Sequence, residues 1–415
     1  MLLPCRISAA ADEQSTKRES GMHWIRGALV VAGTVLLAGA APAPAPEHWT
    51  PAWTASMWEG EGARAVTVEN ATISFAVRVG AGGTKLRLRL SNEYGPAFRL
   101  GAATVRVAGG PSVKVAFDGQ GTTIVPANAP LLSDAAPLAV KPFDVIEVSL
   151  YLPEKVALTT VHGASGAKTS ISEAGDFTAA PFQAAGQSDT RPLLAGVDVL
   201  GAKPRPVIVA YGDSITDNPS CALDATPACR WSEVLGRRLA KGGKPHVVVT
   251  QAISGNRVIT PGTGPSAVSR FDRDVLSLRG VTHVVLLEGT NDIGGSGRVR
   301  DGVTAPTITA EQLIQGYRQI VQRAHDHGIK VIAMTMLPYE GAVYHTPAGE
   351  AMRMRVNAWI RTSGTFDGVI DMEKVVADSA NPKRLTPSLQ RGDNLHPNAH
   401  GETRMGEAIP LTLFQ

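Results

Sequence analysis

Hydrophobic and polar positions follow two different rhythms along this chain. In Leu86-Arg87-Leu88-Arg89-Leu90 three leucines fall on one face and two arginines on the other, the period of two that a half-buried strand requires. Val145 to Leu152 alternates in a similar way, and Thr72 to Val79 and Ala103 to Val107 are further predicted strands. Turn signals such as Gly109-Gly110-Pro111 and Asp118-Gly119 separate these runs, with no convincing amphipathic helix between them. Short strands at this spacing predict an all-β sandwich over residues 47–200.

The rhythm changes near residue 204. Gln187 to Pro206, with Pro192, Pro204 and Pro206, is the predicted crossing. Beyond it, Val207 to Tyr211, Val247 to Thr250, His283 to Leu287 and Lys330 to Met334 are continuous apolar runs, as strands buried on both faces should be. Between them, Trp231, Val234, Leu235, Arg238 and Leu239, and then Leu313, Tyr317, Ile320, Val321 and Ala324, are spaced for helices. The alternation predicts a three-layer α/β/α domain with a parallel sheet over residues 205–415.

The N-terminal segment reads as an address label. Arg26 precedes an apolar stretch from Gly27 to Ala38, and Ala38-Gly39-Ala40 resembles a cleavage site, so residues 1–40 are expected to be a signal peptide with translation starting at Met22. The stretch is shorter than the roughly 20 residues of a spanning helix, so no stable membrane insertion is expected once it is removed. The expected location is secreted or periplasmic. Cys221 and Cys229 are the only cysteines left after its removal, and an oxidising compartment favours a bridge between them over two free thiols. No second Cys or His pair lies nearby at ligand spacing, so no metal is expected there. The 415 residues carry 43% hydrophobic residues and a formal charge of +3, which suits buried cores and offers no basic stripe for nucleic acid.

In parallel sheets, ligands gather where strands end. Three strand ends carry small, acidic or amide-bearing residues: Gly212-Asp213-Ser214, Ser254-Gly255-Asn256 and Gly289-Thr290-Asn291-Asp292. Downstream, Asp393 and His396 stand three residues apart, a spacing that lets the carboxylate reach Nδ1 while Nε2 points outward. These are the parts of a serine nucleophile system, with backbone N–H groups and an Asn amide available for an oxyanion. Each has a plainer reading: Ser214 as a helix cap, Gly255 as a positive-φ turn, Asn291 as a turn residue, and Asp393 with His396 as a surface pair. His283, His325, His327, His345 and His400 show no partner pattern and are read as structural or surface residues.

Taken in order, these blocks resemble those of the SGNH/GDSL esterase family, and residues 205–415 carry the resemblance. The N-terminal β region is similar in arrangement to that of a secreted two-domain bacterial subgroup. Position 216 is Thr, so the Gly-x-Ser-x-Gly elbow of the α/β-hydrolases is missing. The resemblance implies that Ser214 attacks the ester carbonyl, that His396 moves the proton and that Asp393 fixes the ring. It implies an oxyanion hole of the Ser214 and Gly255 amides and the Asn291 side chain. Asp213 and Asp292 are expected to support their own turns. No cofactor is implied.

The expected substrates are short-chain esters, with acetyl esters of carbohydrate first among them; the sequence does not name the ester, and the lack of an extended apolar lid near the motifs disfavours long acyl chains. A lipid or aryl esterase, and a non-catalytic carbohydrate-binding protein on the same scaffold, are the competing readings. Trp49, Trp53 and Trp58 could stack on sugar, but packing inside the sandwich is the favoured reading. The insert between Cys221 and Cys229 is expected to wall the pocket.

Overall fold

The alternating leucines become a sheet face in the computed structural model, which describes residues 47–163, 168–221, 229–300 and 302–415. The expected signal peptide, its start at Met22 and the insert at 222–228 lie outside these residues. Glu47–Gln415 form one compact unit.

Leu86–Ser91 is an inner strand of a four-stranded antiparallel sheet, paired with Leu194–Gly201 and Pro130–Leu132. Leu86, Leu88 and Leu90 are at most 1% exposed, while Arg87 faces outward, pairs with Asp198 at 3.0 Å and stacks over Trp49. A six-stranded antiparallel sheet is built around Val145–Leu152, which pairs with Ala71–Arg78 on one side and Ala102–Val107 on the other. Ile73, Phe75 and Val77 on one strand and Ile146, Val148 and Leu150 on the next share a core with the three leucines. Each such side chain removed from water contributes about 1.5–3 kcal/mol. Trp49 and Trp58 are buried, as packing within the β layers requires.

The second half is a five-stranded parallel sheet in the order Val247–Ala252, Val207–Gly212, Val281–Leu287, Lys330–Met334, Gly368–Ile370. Val207–Gly212 has a parallel neighbour on each side and every residue of it is buried, which explains its unbroken apolar run. The helix Trp231–Lys241 buries Trp231, Val234, Leu235 and Leu239, while Arg238 reaches past its end to the carbonyls of Gly406 and Ile409. The helix Ala310–Asp326 opens on a Thr309–Gln312 capping box and buries Leu313, Tyr317, Ile320, Val321 and Ala324. Two further helices, Pro347–Thr362 and Ala399–Ala408, turn polar residues inward. Arg353 is buried against Glu350 and Glu373, each at 2.7 Å, and Glu402 is fully buried.

The strand order places the chain's first parallel strand between the second and third. The connections leave it in opposite directions, and a crevice opens at its carboxyl end. Among the described residues, no helix is long and apolar enough to cross a membrane.

Candidate active site

Three strand ends meet in that crevice. Ser214 stands two residues past the end of Val207–Gly212, and its Oγ lies 2.7 Å from Nε2 of His396. His396 sits in the loop before the helix Ala399–Ala408, with Nδ1 2.7 Å from Oδ2 of Asp393. A carboxylate only accepts, so Nδ1 carries the proton and Nε2 is left to accept from the Ser214 hydroxyl. Asp393 Oδ1 also accepts from the backbone amides of Leu395 and His396, so the three-residue spacing closes into a tight turn.

The charges around this chain are biased. Burial alone would raise the Asp393 carboxyl, but the His396 amide, Arg391, the His396 ring and the Leu395 amide together hold it well below the usual carboxylate range. Burial pushes His396 below its ordinary value; Asp393 opposes this and the Arg391 charge adds to it. The ring therefore rests neutral and able to take a proton. Arg391 escaped the sequence reading: its Nε donates to Asp393 at 2.9 Å, and its Nη2 stands 3.2 Å from His396 Nδ1.

The oxyanion candidates converge on the same place. Gly255 sits at φ +82°, a backbone conformation that a side chain would strain. Neither the Ser214 nor the Gly255 amide donates to another described residue. Asn291 lies in the first turn of the short helix Thr290–Gly295 and spends its amide protons on the Asn256 carbonyl at 3.0 Å and on Asp213 Oδ2 at 3.3 Å. The second bond is long, so it can yield to a stronger acceptor.

The supporting carboxylates divide the work unevenly. Asp213 serves its own turn, accepting from the Ile215 amide at 2.9 Å. Asp292 instead reaches the neighbouring loop, accepting from the amides of Val258 and Ile259 at 2.7 and 3.2 Å. The reason is geometric: those two amides follow the turn at Gly255 and point into the sheet end where the helix begins. Burial raises Asp213 to about 7 and Asp292 to about 6, with the backbone bonds opposing it in both.

Several buried groups brace the crevice without signalling themselves in sequence. Arg270, 2% exposed, donates to Gly212 O, Gln251 O, Asn256 Oδ1, Ser56 Oγ and Asp274, and so ties the strand end that carries Ser214 to the one that carries Gly255. Glu288 stands 3.7 Å from it and is raised well above its ordinary value by burial and the Asp213 charge. Asn218 donates to the Pro397 carbonyl at 2.7 Å and to Glu402 at 2.8 Å, tying the serine loop to the histidine loop. From the β-rich half, His162 places Nδ1 2.9 Å from the Ser56 carbonyl and Nε2 3.1 Å from Asp217. Burial alone would raise Asp217, but His162, Arg230 and Arg191 outweigh it and hold the carboxyl low. The disulfide joins Cys221 and Cys229 across a Cα–Cα distance of 5.3 Å just beyond this loop, as expected.

Beside Gly255 and Asn291 opens a cavity of about 980 Å³, lined also by Arg257, Arg298, Thr263 and Tyr344.

Parallel strands in this order, covered by helices and ending in a serine hydrogen-bonded to a histidine, define a three-layer α/β hydrolase of the SGNH-like type. Residues 210–404 match the GDSL-like lipase/acylhydrolase family. This part of the chain belongs to that family, and the protein is a carboxylic ester hydrolase. No curated protein matches the chain. Solved structures similar to part of the chain include a GDSL-like lipase from Bacteroides thetaiotaomicron, 19% identical over 50% of this chain and 87% of that one, TM-score 0.36. An acetylxylan esterase from Geobacillus stearothermophilus is 20% identical over 50% of this chain and 93% of its own, TM-score 0.39. A psychrotrophic esterase from Pseudoalteromonas is 17% identical over 49% and 93%, TM-score 0.35.

Proposed function

We propose that this hydrolase is an exported serine esterase that removes short acyl groups, acetyl above all, from carbohydrate esters. The single observation that carries the mechanism is the unbroken hydrogen-bonded chain Ser214–His396–Asp393, with 2.7 Å at each link.

Ser214 Oγ attacks the ester carbonyl as its proton passes to His396 Nε2. The imidazolium is stabilised by Asp393, and the new oxyanion accepts from the Ser214 and Gly255 amides and from Asn291, displacing the long Asn291–Asp213 bond. Collapse breaks the bond to the alcohol oxygen, which takes the proton from His396. Water then gives a proton to His396 and attacks the acyl-serine, and the acid leaves as Ser214 regains its proton.

The acyl preference is supported by what lines the cavity: glycines, threonines and arginines predominate, whereas a long acyl chain calls for a mostly apolar wall. Export is supported by the N-terminal apolar segment and by the Cys221–Cys229 disulfide. The test is release of acetate from acetylated polysaccharides, with p-nitrophenyl acetate and octanoate alongside and Ser214→Ala as control. Preference for octanoate would favour a lipid esterase; sugar binding without any ester hydrolysis would leave only a binding protein.

A further inference from the structure

The cavity beside Gly255 and Asn291 has an uneven charge. Three arginines line it: Arg64 from a turn of the β-rich half, Arg257 from the loop after Gly255, and Arg298 from the loop after the Asn291 helix. No acidic side chain lines it among the described residues. The whole chain carries almost equal numbers of acids and bases, 37 and 40, so three cations facing one cavity, with no anion among the described residues, is a local choice.

The site is built around these groups. The guanidinium of Arg257 lies against Gly295, where a Cβ would come within 2.6 Å of Nη2, and against Gly262, where it would stand 3.4 Å from Nε. Two side-chain-free positions thus make its slot. Among the described residues its Nε is buried without a hydrogen-bond partner, and the bond it does make is a long one, 3.5 Å from Nη1 to the Pro261 carbonyl. Asp292 feels the Arg257 charge, but its carboxylate oxygens are taken by the Val258 and Ile259 amides. Arg298 stands over the Tyr344 ring at 6.0 Å, and that ring rests on Gly294. Arg64 lies over Trp58 at 5.3 Å and also borders the neighbouring recess that carries Glu59 and Glu61. Arg257 and Arg298 do not line that recess, so of the three arginines they are the pair that borders this cavity and not the acidic recess.

A cleft of one sign with low-dielectric walls concentrates ligands of the other sign, and a guanidinium binds carboxylates and sulfates through paired N–H groups. We propose that this cavity selects esters whose alcohol half carries an anionic group, a carboxylate or sulfate, through Arg257 and Arg298. This inference rests on the esterase reading above and narrows its carbohydrate substrates to acidic ones. The acid released by any ester hydrolysis is itself an anion, so the alcohol half must be varied while the acyl group is held constant.

The experiment compares kcat/KM for p-acetoxybenzoate with that for neutral p-acetoxybenzamide, both of which release acetate. p-Acetoxybenzenesulfonate separates a carboxylate preference from a sulfonate one, and acetylated polygalacturonate set against acetylated xylan repeats the comparison on polymers. One charge-assisted contact corresponds to about 10-fold or more in kcat/KM. The wild-type enzyme is expected to favour the anionic ester by at least about that factor at low salt, and the preference should shrink as salt is added. In Arg257→Gln and in Arg298→Gln the anionic-to-neutral ratio should fall about 10-fold. The exposed Arg298 keeps the test alive should Arg257→Gln fail to fold. An active enzyme with no charge preference, or a ratio that neither variant moves, overturns the proposal and leaves the esterase reading standing. Inertness toward every acetate overturns the esterase reading and this inference with it.

Discussion

Replacing Arg391 by Gln separates the electrostatics of His396, the proposed base, from the hydrogen bonds it makes to Ser214 and Asp393. The guanidinium Nη2 stands 3.2 Å from His396 Nδ1, and Nε donates to Asp393 at 2.9 Å. With Nδ1 protonated and held by Asp393, this arrangement penalises the imidazolium that forms during turnover. Arg391 and Asp393 side chains are each 37% exposed, so water screens the repulsion. At roughly 4 Å between charges in a water-like medium it is worth about 1 kcal/mol, or about 0.7 of a pH unit. Arg391→Gln should therefore raise the His396 pKa, and the acid limb of kcat/KM, which reports the free enzyme's base, should move to higher pH by about half to one unit. Asp393 keeps the His396 ring and two backbone amides, so the plateau rate should fall by less than about 10-fold, far less than the roughly 10⁴-fold loss expected of a carboxylate-to-amide change in such a triad. The assay is kcat/KM for p-nitrophenyl acetate across the acid and neutral range, in Arg391→Gln, Asp393→Asn and wild type. A limb that stays put or moves to lower pH would refute the argument, and so would a plateau loss as deep as that of Asp393→Asn.

Asn291→Ala should lower kcat about 10²- to 10³-fold while leaving the melting temperature near that of the wild type, because in the proposed mechanism the residue donates to the oxyanion from a crevice rim; unchanged turnover would remove it from the site. Arg270→Leu should destabilise the protein by about 3–5 kcal/mol in denaturant unfolding, since the buried Glu288 would lose its neighbouring cation, Asp274 would keep only Arg273, and several buried acceptors would lose their donor; a loss under 1 kcal/mol would show that the carboxyl groups simply take up protons. The Cys221→Ser, Cys229→Ser double variant releases a short loop and should cost about 2–3 kcal/mol, read as a lower melting temperature, with acyl-chain preference changed before Ser214 reactivity is lost; identical stability and substrate range would deny the bridge any role.

The strands were legible wherever one face was buried and the other wet, as in Leu86 to Leu90, and wherever both faces were buried, as in Val207 to Tyr211. The helices Pro347–Thr362 and Ala399–Ala408 were not, because Arg353, Asn357 and Glu402 occupy inward positions and break the apolar period. Their burial is made possible by partners that sequence does not display, such as Glu373 for Arg353 and Trp231 for Glu402. The same division runs through the site. Ser214, Asn291, Asp393 and His396 stood out because strand ends and short spacings are local signals. Arg391, Arg270, Asn218 and His162 did not, since each matters through a group brought near by folding. Asp292 shows the boundary between the two cases: its importance was visible, but the loop it holds was not.

The short path from Ser56 and His162 to Asp217 has a practical corollary. The half of the molecule that bears the nucleophile borrows an imidazole from the other half, where the Ser56 carbonyl holds it, so trimming to a minimal catalyst would strip Asp217, three positions beyond Ser214, of its closer partner and leave it Arg230 at 3.9 Å. Anyone transplanting this α/β unit into a chimera must carry those two donor segments with it or redesign the serine loop to do without them.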